Sequence, residues 1–217
     1  MGSDPFHELI SIGSRRGSDP IFLTPFFAGA ATVLAFAPLG FFPLALVTFG
    51  LLVHFWMGAT PQRAFRSGYA FALGLFGAGV SWVYVSLHTF GAMPLPLAAL
   101  ATFLFCAFLA LFPAAAGWLQ ARIPAQASVR ACLLIPAAWT LFEWLRSWIF
   151  TGFPWLSAGY ASVGWPLQGY APVGGVFLLS FLTLSLAGTI WLLVSRAPPM
   201  TSELTPFIWH LKRWPPQ

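Results

Sequence analysis

The chain has 217 residues, 59% of them hydrophobic and 7% charged, with a formal net charge of +5; an ordinary soluble domain is about 25% charged. So little charge excludes a surface built for water. Ten basic residues scattered singly or in pairs likewise exclude the continuous phosphate-tracking stripe of a nucleic-acid binder.

Residues 1–20 are polar and Gly/Ser-rich and read as a disordered cytoplasmic arm. No Asp, Glu, Lys or Arg then occurs between Asp19 and Arg63, from Ser67 to Gln120, or from Ser147 to Ser195. Each stretch far exceeds the roughly 20 apolar residues that cross a bilayer core. The expectation is an all-α integral membrane protein, its membrane domain covering 21–195, with about six spans near 21–37, 41–58, 67–88, 95–118, 131–150 and 173–195. Pro, Gly or charge marks each gap, and no segment alternates apolar and polar as a membrane barrel requires. Residues 196–217 form a polar, Pro-rich tail expected in the cytoplasm.

The first span follows Arg15 and Arg16 and ends in Ala35-Phe36-Ala37, which also fits a cleavable signal peptide. Pro38-Leu39-Gly40 leads straight into a second apolar run, which favours a retained span. The third span carries Ala70, Gly74 and Ala78 at helical spacing with Gly77 and Ser81 beside them, a stripe that close helix packing explains. Its end, Trp82-Val-Tyr84-Val-Ser86-Leu-His88, sets aromatic residues at the outer face. Cys106 and Cys132 lie inside apolar runs without CxxC spacing and read as small buried hydrophobes. Pro113 and Pro136 fall inside helices, where neighbouring helices or local distortion must re-satisfy the freed carbonyl.

With the N-terminus inside, Arg15/Arg16, Arg63/Arg66, Arg122/Arg130 and Arg196 with Lys212/Arg213 share one side, and the opposite loops carry no basic residue. That segregation follows the positive-inside rule. The exception is Arg146, three residues after Glu143 in Trp139-Thr-Leu-Phe-Glu-Trp-Leu-Arg-Ser-Trp148, so the two share a helix face. Charges inside a span are costly and mark function by default. They could neutralise each other or meet a substrate headgroup; a structural ion pair with Trp139, Trp144 and Trp148 as belt residues is the plainer alternative. Residues 151–172 are uncharged and carry Trp155, Tyr160, Trp165 and Tyr170 among Gly and Pro, with an internal echo, Gly159-Tyr-Ala-Ser-Val-Gly164 and Gly169-Tyr-Ala-Pro-Val-Gly174. This aromatic, Gly/Pro-rich loop is expected to lie on or re-enter the outer leaflet. No His/Ser/Asp grouping, metal-ligand spacing or phosphate loop occurs, so no cofactor and no metal is expected.

Gly77-Ala-Gly-Val-Ser-Trp-Val-Tyr-Val-Ser86, then His88-Thr-Phe-Gly-Ala-Met-Pro94, Glu143-Trp-Leu-Arg146, Thr151-Gly-Phe-Pro-Trp-Leu156, Gly159-Tyr160 and Pro166-Leu-Gln-Gly-Tyr-Ala-Pro172 follow one another along the chain. Together they resemble the membrane half of apolipoprotein N-acyltransferase. The resemblance implies a bacterial inner-membrane enzyme that moves an acyl chain from a phospholipid donor to the N-terminal amine of a diacylated lipoprotein. It also implies a helical platform joined to a nitrilase-like domain with a Glu, Lys and Cys triad. No catalytic residue is placed in this chain; the lipid- or substrate-facing candidates are Glu143, Arg146, Trp148, Gly152, Phe153, Pro154, Trp155, Tyr160, Trp82 and Tyr84. The only lysine is Lys212 and both cysteines are intramembrane, so a truncated or split platform, inactive alone and served by a separate nitrilase-like domain, is the expectation. The alternative is a small non-enzymatic membrane protein or transporter.

Overall fold

A computed structural model describes residues 20–196. Among these residues all regular structure is helical. Helix α1 (Pro20–Thr32) runs into a short 3-10 turn, Val33–Ala35, and α2 (Phe42–Trp56) follows. Helix α3 (Pro61–Gly79) begins at a proline, whose missing N–H costs nothing at a first turn, and the Thr60 hydroxyl accepts from the Arg63 N–H at 3.4 Å. Then come α4 (Trp82–Phe90), α5 (Leu95–Arg122), α6 (Ala127–Arg146) and α7 (Ala171–Arg196).

Helix α5, helix α6, and α7 together with the turn before it are long and apolar enough to cross a bilayer. The third expected span is not one rod over 67–88: it starts at Pro61 and bends by 48° between α3 and α4, so the pair counts as one broken crossing. The first two helices are apolar but short, Phe22–Ala35 and Phe42–Trp56. The described residues are therefore all-helical and fit a membrane protein, with three helices long and apolar enough to cross and a fourth if the bent pair is one span.

Packing fixes which ends lie together. Thr32 donates to Thr48 at 2.8 Å across the α1–α2 turn, Gly117 of α5 sits on the Ala64 carbonyl of α3, and Gly188 of α7 sits on that of Ala131 in α6. Successive long helices thus run in opposite directions. Arg63, Arg66, Arg122, Arg130 and Arg196 consequently gather at one end, while Arg146 stands alone at the other. Arg130 caps α5: its guanidinium donates to the Gln120 carbonyl, to Gln120 Oε1 at 2.9 Å and to the Ile123 carbonyl at 2.7 Å. A cation is favourable at the carbonyls that end a helix.

The core is a cluster of large aromatics between small residues. Trp139 packs edge-on to Phe49 and Phe71, at 5.2 and 6.1 Å between ring centroids, and lies 6.3 Å from Trp56. The expected small-residue stripe on α3 divides. Ala70 and Gly74 are buried, whereas Gly77, Ala78 and Ser81 are exposed. Gly74 of α3 and Gly29 of α1 interlock: a Cβ on Gly74 would stand 2.0 Å from the Phe26 carbonyl oxygen, and one on Gly29 would stand 1.8 Å from that of Phe71. Backbone on both sides leaves nothing flexible to yield. Gly74→Val is therefore expected to lower the unfolding free energy in mild detergent by at least the ~1–3 kcal/mol of ordinary overpacking, and Gly77→Val, with open space around it, to leave it unchanged.

Two prolines sit inside helices by different means. Pro113 is buried in α5, its carbonyl against Gly68. Pro136 instead follows a π turn, Arg130–Leu134, that widens α6 just before it. Such a widened turn relieves the clash of the proline ring with the carbonyl four residues earlier.

Candidate functional site

Glu143 and Arg146 lie in the last turns of α6, each only 3% exposed. Just beyond them the chain reverses. Phe150, Thr151 and Gly152 all take positive φ (51°, 74° and 81°), and a Cβ on Gly152 would stand 1.9 Å from the Ser147 carbonyl oxygen, so only glycine fits that corner. The Phe153 N–H then donates back to the Arg146 carbonyl at 2.9 Å, and the returning segment runs down over the helix end.

The two charges hold that segment by its backbone. Arg146 Nη1 donates to the carbonyls of Phe153 and of Trp155, the latter at 2.8 Å, and Nη2 donates to the Ser157 hydroxyl at 3.3 Å. Ser157 in turn donates to the Pro154 carbonyl at 2.9 Å. Glu143 Oε1 accepts from the Ala158 N–H and from Trp139 Nε1, both at 2.7 Å. The cation reads carbonyls and the anion reads N–H groups, each through charge-assisted bonds, the stronger kind. One step further, the Gly159 N–H donates to Ser180 of α7 at 2.8 Å, and Gly159 lies so close to α7 that a Cβ would meet the Val176 carbonyl oxygen at 2.3 Å.

Several expectations change here. Glu143 and Arg146 share a helix face, but they do not hydrogen-bond to each other; Arg146 spends its bonds on the loop, and Glu143 divides its own between the loop and Trp139 of the same helix. Trp139 is not a belt residue: it is 2% exposed and orients Glu143. Trp144 and Trp148 are exposed and pack edge-to-face at 5.5 Å, as belt residues do. The loop does not simply lie on a leaflet. Leu156–Ser162, apart from Tyr160, is buried in the bundle, while Pro154 and Trp155 before it and most of 163–170 after it stay at the surface. The echo within the loop has no structural counterpart, since Gly159 is locked against α7 whereas Gly169 has open space around it.

The aromatic candidates form separate groups. Trp155 meets Trp82 at 5.8 Å, and Phe153 packs edge-on to Phe105 of α5 at 5.0 Å. Tyr84 stacks on His88 at 5.6 Å, and the His88 ring bonds the Met93 carbonyl through Nδ1 at 2.9 Å. Pro154 contributes its carbonyl, Tyr160 is exposed, and Trp148 points to a different side with Trp144. Ser157, the Ala158 amide and Ser180 belong to the site although sequence reading missed them. A hydroxyl in an uncharged loop and a serine amid an apolar span carry no pattern of their own. Trp165 ties the loop to the far turn, its Nε1 donating to the Gly40 carbonyl at 3.1 Å.

Beside the charges lies a small cavity of about 10 Å³, lined by Leu75, Phe76, Pro113, Trp139, Glu143 and Arg146 among others. It has no room for a lipid headgroup. An open, apolar groove of about 420 Å³ runs between α6 and α7, floored by Leu141, Trp144, Phe177, Leu178 and Phe181 among others.

The family profile described as the apolipoprotein N-acyltransferase N-terminal domain matches residues 28–189. Apolipoprotein N-acyltransferase of Nitrosomonas europaea is 48% identical over 164 residues, covering 75% of this chain and 33% of the relative. That of Methylococcus capsulatus is 46% identical over 172 residues, covering 77% and 34%. That of Coxiella burnetii is 44% identical over 173 residues, covering 77% and 35%. The chain spans about a third of the length of these curated relatives.

Proposed function

The chain belongs to the apolipoprotein N-acyltransferase family, and from that premise we propose that residues 20–196 are a membrane platform for phospholipid-dependent N-acylation of bacterial lipoproteins. The platform crosses the inner membrane six times, the two short first helices included, with the arginine-rich end in the cytoplasm and the loop end in the periplasm. Its ligands are the phospholipid acyl donor and the diacylated lipoprotein, and the acyl-transfer chemistry falls to a nitrilase-like partner domain. Glu143 and Arg146 serve indirectly: they are closed off from headgroups and hold the loop that carries the aromatic rings.

The observation that carries this reading is the uncharged aromatic segment folded back on the bundle by two buried charges. Trp82, Trp155, Trp148 and Tyr160 thereby stand exposed or half-packed at one end, at the depth where acyl chain meets headgroup. A transporter would turn ionisable groups towards a mid-bilayer path. Here both are buried and both bind loop backbone.

Two measurements test the proposal. With Cys106 and Cys132 replaced by serine, single cysteines at Gln62 and Gln126 should react with an impermeant thiol reagent from one side of the membrane and a cysteine at Gln168 from the other. A phospholipid carrying a photoreactive acyl chain should label peptides within 148–170 and around Trp82, and excess diacylated lipopeptide should compete. Labelling spread evenly over all lipid-facing helices, with no competition, would overturn the assignment.

A further inference from the structure

Glu143 Oε1 has two donors, whereas Oε2 is buried and no donor meets it at full hydrogen-bond distance and angle; the Ser180 hydroxyl, whose oxygen accepts from the Gly159 N–H, lies near the carboxylate and competes with solvent for it. A buried carboxylate oxygen left unpaired is costly, and such atoms in folded proteins are nearly always paired with protein or ordered water. Arg146 shows the complementary surplus. A guanidinium carries five N–H donors, and its bonds to Phe153, Trp155 and Ser157 use three. Both side chains line the same cavity of about 10 Å³, whose other walls, Leu75, Phe76 and Pro113 among them, are apolar. A space of about 10–15 Å³ admits a single water and nothing larger.

We infer that this cavity is a binding site for one water molecule, which accepts from a spare N–H of Arg146 and donates to Glu143 Oε2. The i, i+3 pair that fails to close directly is closed through solvent. The chemistry selects water: a bare cation would face the guanidinium and a bare anion the carboxylate, whereas a water offers a donor to one and an acceptor to the other. Phospholipid headgroups and phosphate are excluded by volume. The inference concerns the buried pair alone and stands or falls independently of any acyl-transfer role.

The test uses the whole chain in lipid nanodiscs. X-ray radiolysis turns ordered water into hydroxyl radical in place, so Trp139, 2% exposed but lining the cavity, should be oxidised in the native chain. Glu143→Gln keeps a polar partner and should retain the labelling. Glu143→Met removes it and should lower Trp139 oxidation severalfold. A map fine enough to show buried solvent should carry a peak within hydrogen-bond reach of Oε2 in the native chain and in Glu143→Gln. An unoxidised Trp139 in the native chain would overturn the inference. So would a map in which Oε2 bonds directly to Arg146 or to the Ser180 hydroxyl with no solvent peak. Should Glu143→Met fail to fold, the native chain and Glu143→Gln still decide.

Discussion

Replacing Arg146 with leucine is expected to cost about 3–5 kcal/mol of unfolding free energy, the range for breaking a buried charge pair from one side. The variant loses the bonds to the Phe153 and Trp155 carbonyls and to Ser157, and it leaves Glu143 buried without its counter-charge. The visible consequence is local: the segment 153–160 should become cleavable by protease in folded, nanodisc-embedded protein. Arg146→Lys should recover only part of the loss, because one ammonium nitrogen cannot serve the two carbonyls and Ser157 from the two positions that the guanidinium nitrogens occupy. Adding Glu143→Leu to Arg146→Leu removes the stranded charge but also orphans the Ala158 N–H. The double variant should thus be less stable than either single variant, yet more stable than the sum of the two losses would make it. Equal protease resistance in Arg146→Leu and the native chain would show that the loop is held by its packing instead.

The 217-residue chain, given phospholipid and a diacylated peptide, is expected to form no N-acyl product and no covalent acyl-enzyme. Acyl transfer through a thioester needs a thiolate beside a base and an oriented substrate. Cys106 is 3% exposed and its Sγ sits 3.6 Å from the Phe76 carbonyl; Cys132 Sγ lies 3.4 Å from the Thr189 hydroxyl. Neither has a histidine, lysine or carboxylate among its bonded neighbours in the described residues. Mass spectrometry of peptide and protein after incubation decides the matter. Product that disappears in Cys106→Ser or Cys132→Ser would place the nucleophile in the membrane and sink the platform reading.

The helices were legible because the bilayer allows few alternatives: six apolar runs separated by Pro, Gly and charge became helical segments, and the described arginines other than Arg146 sorted to one end. The bend between α3 and α4 was not legible, since Gly79-Val-Ser81 looks like any other small-residue stretch in an apolar run. Glu143 and Arg146 announced themselves as the two charges within a span, but their partners did not. A hydrogen bond to a backbone carbonyl leaves no mark on the sequence of the residue that accepts it, so Phe153 and Trp155 read as aromatic rings and not as acceptors. Trp139 misled for a related reason. Its spacing with Trp144 and Trp148 suggested an interfacial belt, whereas burial among Phe49, Phe71 and Trp56 makes it part of the core.

The π turn at Arg130–Leu134 makes the whole site sensitive to chain length. A residue added to a helical turn rotates everything after it by about 100°, the share of one residue in a 3.6-residue turn. The widened turn therefore sets the rotational phase at which Glu143 and Arg146 leave α6 facing the loop. Deleting a single residue there, such as lipid-exposed Leu133, would restore an ordinary helix and swing both charges round the barrel of α6 towards the acyl chains. Substitutions along this stretch should be absorbed readily, while insertions and deletions of one residue should not, even though they fall about two and a half turns from the nearer charge.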